Sequence, residues 1–307
     1  IAIDNSADVA VAISAEDALM TAYRGGESRE CNEDVQSDAM FSVHDASVWN
    51  EYTAAIGQVE RNPALADGLA GGDVSIAVDS AGTVHVAYQF FYEGCDAMNF
   101  RYPDLKYVRK SLHAYATDAS EQTVEGNDYG GSNDQNSVGA HNAMLLDSEE
   151  NPAIFYAARL SNGTRGLRVA RFSNGGWQRH WIETGCDIGG IAAARSDTGV
   201  LGVAYHVIAC DDADGDGIFD THALRYADNA SGNWLVQTVD DATRTGQHPS
   251  LAFDASGLPA IAYYQMQSYS GRELRDLYFA RFYATPAEAE APGGSEGEEP
   301  AYRTGWR

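Results

Sequence analysis

The stretch SLAFDASGLPAIAYY, from Ser250 to Tyr264, decides how this chain folds. Two runs of alternating apolar residues flank a short Asp-Ala-Ser-Gly segment, which is typical of two β-strands joined by a tight turn. Versions of the same pattern recur along the chain, at Val9–Tyr23, Ser75–Tyr88, Ala143–Tyr156 and Ile191–Tyr205. The sequence therefore predicts five β-hairpins that are copies of one repeat.

Each predicted hairpin is followed by a loop and a third strand-like segment, and in four copies by a fourth. Four antiparallel strands per copy predict an all-β fold, a five-bladed β-propeller. After Phe282 the chain turns acidic and rich in Pro and Gly, so the fifth copy lacks a fourth strand. We expect Ile1–Asp4 to supply it, because closing the last blade with the N-terminal strand removes an exposed sheet edge. The predicted propeller domain covers residues 1–284, and residues 285–307 form an acidic linker and C-terminal tail.

The repeat resembles that of β-propellers from secreted bacterial proteins. Their repeat reads Gly-x-Pro-Ser-Leu-Ala, a hydrophobic residue, then Asp-Ser-x-Gly-x-Pro-His-Ile-Ala-Tyr-Tyr, followed by Leu-x-Tyr-Ala and Trp. The match is closest at His248–Tyr264 and Asp73–Tyr88, while Asp17 and Glu150 replace the turn glycine in weaker copies. The resemblance implies the fold but no single activity, because propellers serve as lectins, hydrolases, lyases and scaffolds alike.

The composition excludes some partners. The formal net charge is −25, with 45 acidic and 20 basic residues, and a protein that binds nucleic acid needs a basic surface. No apolar run approaches the ~18 residues that a membrane span requires. We therefore expect neither a nucleic-acid partner nor a membrane span.

Four cysteines, Cys31, Cys95, Cys186 and Cys210, allow two disulfides in three possible pairings. In a propeller, the loops that join second to third strands emerge on one face, here termed the loop face, and all four cysteines fall there. Their places in the repeat favour the pairs Cys31–Cys95 and Cys186–Cys210, with four free buried thiols as the alternative. Two disulfides favour a secreted protein, extracellular, on the cell surface or periplasmic, over a cytosolic one.

The acidic loop from Asp211 to Asp220 carries the most specific chemical motif. Counted from Asp212, carboxylates stand at positions 1, 3, 5 and 9 and a glycine at position 6, a spacing that suits Ca²⁺. Position 12 holds Ala223 in place of the expected glutamate. The alternative is a solvated acidic loop. The predicted ligands are the carboxylates of Asp212, Asp214, Asp216 and Asp220 and the carbonyl of Ile218, and the predicted role of the ion is structural.

Two histidines, His141 and His248, occupy the same place in the repeat, where the innermost strand of a blade begins. The corresponding residues of other copies are Asp8, Asp73 and Gly190. Histidines and aspartates around one axis form a possible site for a transition metal or for polarising a substrate. The alternative is that a consensus histidine caps the start of a strand.

These features lead to two hypotheses of function. The first is a secreted, calcium-stabilised binding or assembly module that holds a glycan or protein partner on its loop face. The second is a polysaccharide hydrolase or lyase with the axial His and Asp residues as its site. The tail ends in AYRTGWR, which is either a disordered end or a docking segment for another subunit.

Overall fold

The computed structural model describes residues 9–13, 19–25, 38–45, 48–55, 67–93, 103–111, 121–126, 136–210, 221–242, 244–269, 272–283 and 306. This described part is all-β, and its strands form five antiparallel sheets, four of four strands and one of three. Within the same residues, no helix is long and apolar enough to cross a membrane. The all-β prediction is confirmed, and so are four-stranded antiparallel sheets.

The chain divides into two compact units, Ile1–Thr184 and Gly185–Arg307. In the described part of the first unit, three sheets follow the chain order: β1 (Val9–Ile13), β2 (Leu19–Gly25), β3 (Asp38–Asp45) and β4 (Val48–Ala55); β5 (Asp67–Val78), β6 (Thr83–Glu93), β7 (Asp104–Ser111) and β8 (Gln122–Glu125); β9 (Ser137–Leu146), β10 (Pro152–Arg159), β11 (Arg165–Ser173) and β12 (Gly176–Thr184). The described part of the second unit contains two sheets: β13 (Cys186–Arg195), β14 (Leu201–Cys210), β15 (Thr221–Asp228) and β16 (Leu235–Asp240); β17 (Gln247–Phe253), β18 (Pro259–Tyr269) and β19 (Arg272–Arg281).

All five predicted hairpins are present as the first two strands of a sheet. The turn of the fifth hairpin depends on Asp254, whose Oδ1 accepts backbone N–H bonds from Ser256 at 2.8 Å and Leu258 at 3.0 Å. Gly257 closes the turn at φ 77°, a left-handed conformation that glycine adopts without a Cβ clash. Asp79 and Asp147 bind their own turns in the same way. The repeated aspartate is therefore the residue that fixes each of these turns.

The hairpin turn in which Glu150 replaces the glycine keeps the same conformation. Glu150 takes its place at φ 61°, which costs a residue with a Cβ roughly 1–2 kcal/mol. Its carboxylate accepts bonds from the backbone N–H and the hydroxyl of Ser80, at 2.8 and 2.9 Å, in the neighbouring hairpin turn. The strained glutamate thus links two hairpins, an interaction that glycine could not make.

The core of the first unit is closed by aromatic and charged pairs between adjacent sheets. Trp177 packs edge-on against Tyr107 and Phe172 and donates its indole N–H to Gln122 Oε1 at 3.0 Å. Glu125 accepts hydrogen bonds from both Tyr156 and Arg168. Trp177 therefore packs between adjacent sheets.

The second unit repeats this arrangement with a residue from the C-terminal tail. Trp306 forms an antiparallel bridge with Phe282 and packs edge-on against Tyr226 and Phe282, with only 3% of its surface exposed. Phe282 corresponds in the repeat to Phe172, which pairs with Trp177. Trp306 therefore stands where the fourth strand of a sheet begins. Ile1–Asp4, predicted to complete this sheet, lies outside the described residues.

Candidate functional site

The first strands of three sheets carry the same irregularity at the place that the repeat assigns to the axial residues. Asp73, His141 and His248 have φ values of 43°, 54° and 48°, which non-glycine residues rarely adopt. Each lies at a shift in register, where the first strand has one residue more than its partner. Such bulges re-aim side chains, and strained backbone of this kind is concentrated at functional sites.

Two of these residues meet within the first unit. His141 Nδ1 lies 3.8 Å from Asp73 Oδ1, and the two side chains are 41% and 26% exposed. The residues come from β9 and β5, the first strands of neighbouring sheets. The structure therefore brings together two of the predicted axial residues as a solvent-accessible imidazole–carboxylate pair.

A neighbouring residue that the sequence analysis did not single out holds this pair in place. The buried side chain of Asn142 donates hydrogen bonds to the backbone carbonyls of Asp73 and Gly139, and its Oδ1 accepts one from the Ser75 hydroxyl. It therefore ties the bulge of β5 to the bulge of β9. The signal was available, since Asn142 stands where the best-matching copy has Pro249.

In the second unit, His248 is exposed and lies edge-on to Tyr264, with ring centroids 6.2 Å apart. Gly190, the equivalent residue of the preceding sheet, leaves room for this strand, because a Cβ there would lie 3.3 Å from Pro249 Cδ. Gly190 itself pairs with His206, and the extra residue of that strand falls at Gly189. Asp8, the remaining predicted axial residue, lies outside the described residues.

One predicted disulfide is confirmed. Cys186 and Cys210 face each other in the β13–β14 pair and are bonded. The guanidinium of Arg225 lies against both sulfurs, with nitrogen–sulfur distances of 3.8 Å. A crosslink over 24 residues stabilises a fold by about 3 kcal/mol. Cys31 and Cys95 lie outside the described residues, so their pairing stays a prediction.

The acidic loop and its five predicted calcium ligands, Asp212, Asp214, Asp216, Ile218 and Asp220, also lie outside the described residues. Elsewhere, in the part of the chain that the structure describes, no group of three or more His, Cys, Asp or Glu residues is arranged to hold a metal ion. Calcium and a transition metal at the axial histidines therefore stay predictions.

The two strands that flank the acidic loop carry a pair of histidines. His206 Nε2 and His222 Nδ1 lie 3.1 Å apart, and the rings stack at an interplanar angle of 14°. Burial and the nearby Arg244 cation lower the pKa of His222. The sequence does not indicate this pair, because the contact depends on the register in which β14 and β15 pair.

His85, a buried residue of β6, has a structural role. Its Nδ1 accepts a hydrogen bond from Tyr107 at 2.7 Å, and its Nε2–H donates to Asp79 at 3.3 Å. Burial lowers the pKa of His85 even though the Asp79 carboxylate raises it, which favours the neutral ring. The chain Tyr107–His85–Asp79 therefore fastens the hairpin turn to the core.

Comparison with known proteins shows the fold. No family model and no curated protein matches the sequence. Similar solved structures include the Hadza microbial sialidase Hz136 (TM-score 0.54, 12% identity, 89% of this chain and 55% of that one) and the Penicillium chrysogenum α-L-arabinanase complexed with arabinobiose (0.53, 10%, 85% and 78%). A protein of unknown function from Dyadobacter fermentans is also similar (0.54, 11%, 90% and 78%). The chain thus spans only about half of the sialidase. These similarities support a β-propeller-type fold.

Proposed function

We propose that this chain cleaves a polysaccharide, as a hydrolase or lyase, and that Asp73 and His141 are part of its site. The observation that carries the proposal is the meeting of these two residues, at 3.8 Å, on bulged and strained starts of neighbouring strands. A histidine that only caps the start of its strand would not need a carboxylate from the neighbouring sheet beside it. Both side chains are open to solvent, as groups that contact a large substrate must be.

The chemistry follows from the two groups. An imidazole transfers protons near neutral pH, and a carboxylate beside it stabilises the positive ring that forms when it takes a proton. Because 3.8 Å exceeds hydrogen-bond length, the carboxylate acts on the ring by its charge or through a bridging water. In this proposal His141 exchanges the proton at the scissile bond, while Asp73 holds the charge and Asn142 positions both strands.

The comparisons favour this hypothesis over the first expectation, a binding or assembly module. A sialidase and an arabinanase share the fold, and both names describe enzymes that act on sugars. We further propose that the five sheets are the five blades of one propeller, in which His248 is the second unit's counterpart of His141. The proposal also includes secretion, which the Cys186–Cys210 disulfide supports. Calcium in the acidic loop and a glycan or protein partner on the loop face remain part of the proposal.

The test is to incubate the protein with a panel of neutral and acidic polysaccharides. Cleavage is measured by the release of reducing ends and by mass spectrometry of the products. A hydrolase adds one water to each cleavage, whereas a lyase leaves an unsaturated product lighter by one water. We expect His141→Ala and Asp73→Asn to lower kcat at least a hundredfold, a typical size for a proton-transfer group. The matched controls are His180→Ala and Asp197→Asn, exposed residues of β12 and of a hairpin turn. Equal activity in all four variants would refute the proposed site, and glycan binding without cleavage would favour the binding module.

A further inference from the structure

The histidine pair of the second unit has a geometry that the proposed function does not use. His206 lies in β14 and His222 in β15, where they are diagonal neighbours on one face of the sheet. Their facing nitrogens, Nε2 and Nδ1, are 3.1 Å apart. His222 is held at φ 61°, a left-handed conformation that costs energy in a residue with a Cβ. The imidazole of His222 therefore lies beside that of His206 at a cost in backbone strain.

The strand on the other side of β14 makes room for this pair. A Cβ at Gly189 would lie 2.9 Å from His206 Nδ1 and 2.5 Å from Ile208 Cδ1, closer than real side chains approach. A methyl group at Gly189 would therefore force the His206 ring and the tip of Ile208 to shift. The Cys186–Cys210 disulfide joins β13 to β14, so the strand that carries His206 is crosslinked near the pair. His206 is buried, with 6% of its surface exposed, whereas His222 is half-buried and reaches solvent.

We propose that His206 and His222 form a two-histidine site for a transition-metal ion of the Zn²⁺, Ni²⁺ or Cu²⁺ class. Two nitrogens 3.1 Å apart, each at the usual zinc–nitrogen distance of about 2.0–2.1 Å, meet the ion at an angle of about 100°. This value lies between the octahedral and tetrahedral angles of metal coordination. Both rings then present lone pairs to the ion, and the hydrogen that they share moves to an outer ring nitrogen or to solvent.

Among the described residues no third metal-ligating side chain is grouped with this pair, so the two imidazoles are the ligands on which the proposal rests. Imidazole ligands favour these borderline metals over Ca²⁺, which prefers oxygen. This separates the site from the predicted calcium loop, and it does not depend on the proposed polysaccharide cleavage.

The experiment is to titrate the metal-free full chain with Zn²⁺ and with Co²⁺. Excess Ca²⁺ is present to fill oxygen sites. Calorimetry measures the binding of both ions, and the visible spectrum of bound Co²⁺ reports its ligands. We expect one ion per chain at this site, and binding weakened at least tenfold in His206→Ala and in His222→Ala. Because His206 is buried, His222→Ala is the decisive variant, and its melting temperature in EDTA confirms that it folds. His180→Ala is the matched control and should bind as the unmodified chain does.

A further variant, Gly189→Ala, keeps both imidazoles but displaces the His206 ring. It should also weaken binding at least tenfold in a folded protein. The proposal is overturned if the metal-free chain takes up no Zn²⁺ or Co²⁺ in the presence of Ca²⁺. It is equally overturned if His222→Ala binds them as tightly as the unmodified chain, because the ion then lies elsewhere.

Discussion

Trp306 donates its indole N–H to Gln237 Oε1 at 3.1 Å, and so reproduces the bond of Trp177 to Gln122 in the first unit. The partners of the two rings match as well, since each packs between a tyrosine of one sheet and a phenylalanine of the next. A residue near the end of the chain thus completes the same aromatic packing that a fourth strand supplies elsewhere. Trp306 therefore has a structural role in the second unit.

The first prediction concerns this anchor. Trp306→Ala should destabilise the second unit by about 3–5 kcal/mol, the usual cost of deleting a buried tryptophan. Trp306→Phe keeps an aromatic ring but loses the bond to Gln237, so most of the stability should remain, with a loss of about 1 kcal/mol for the bond. Urea unfolding followed by circular dichroism measures both. An unchanged midpoint for Trp306→Ala would show that Trp306 contributes no stability.

The second prediction separates backbone strain from side-chain contact at Glu150. Glu150→Ala loses the bonds to Ser80 and keeps the left-handed strain, so it should be less stable than the unmodified chain by about 1–2 kcal/mol. Glu150→Gly loses the same bonds but relieves the strain, and it should be more stable than Glu150→Ala by about 1 kcal/mol. The comparison of the two variants by chemical denaturation isolates the strain. Equal stabilities would mean that the φ of 61° costs nothing here.

The third prediction compares two carboxylates that make similar contacts at different depths. Glu125 binds Arg168 and Tyr156 with a side chain only 9% exposed, whereas Glu121 binds Lys106 and Tyr88 with 43% exposed. Removing one partner of a buried pair leaves an uncompensated charge, so Glu125→Gln should cost about 3–5 kcal/mol. Solvent screens the half-exposed Glu121 carboxylate, and its buried partner Lys106 keeps a hydrogen bond to Thr123 at 2.6 Å, so Glu121→Gln should cost less, about 1 kcal/mol.

Urea unfolding at low and high salt measures this pair of variants. Salt should reduce the small effect of Glu121→Gln and leave most of the effect of Glu125→Gln, because buried charges are screened much less than exposed ones. A similar cost for the two variants would show that burial does not decide the strength of these contacts.

The hairpins could be predicted from the sequence because each depends on local chemistry. Alternating apolar residues set the strands, and Asp254 binds N–H groups only two and four residues away. The disulfide Cys186–Cys210 was also within reach, because both cysteines belong to one copy of the repeat and its two first strands. Even the loss of the turn glycine at Glu150 left the turn intact, since Asp147 still binds it.

The contacts between sheets could not be predicted in the same way. Asn142 acts on the backbone of Asp73 in another sheet, and Trp306 packs on Tyr226, some 80 residues earlier in the chain. Such contacts depend on how neighbouring sheets pack against each other. The hairpin pattern predicts only which adjacent strands pair, so it does not predict these contacts. His222 was missed for a related reason, because its distance to His206 follows from the register of β14 and β15 across a long loop.

The last prediction concerns alkaline pH. Burial raises the pKa of Tyr107 to about 12, from an ordinary value of 10.0. Between these two values the unfolded chain releases the phenolic proton while the folded chain keeps it. The contribution of Tyr107 to the free energy of unfolding is therefore fully present below pH ~10. It falls by about 1.4 kcal/mol per pH unit between pH ~10 and ~12, a total of roughly 2–3 kcal/mol.

Tyr107→Phe removes this dependence and also removes the bond to His85. The variant should be less stable than the unmodified chain by about 1 kcal/mol at pH 8, and the difference should shrink and then change sign as the pH approaches 12. The other buried tyrosines are present in both proteins, so their alkaline effects cancel in the comparison. Tyr263→Phe should behave in the same way, because burial also raises the pKa of Tyr263. The measurement is urea unfolding at intervals between pH 8 and pH 11.5, and a difference between Tyr107→Phe and the unmodified chain that stays constant over this range would contradict the prediction.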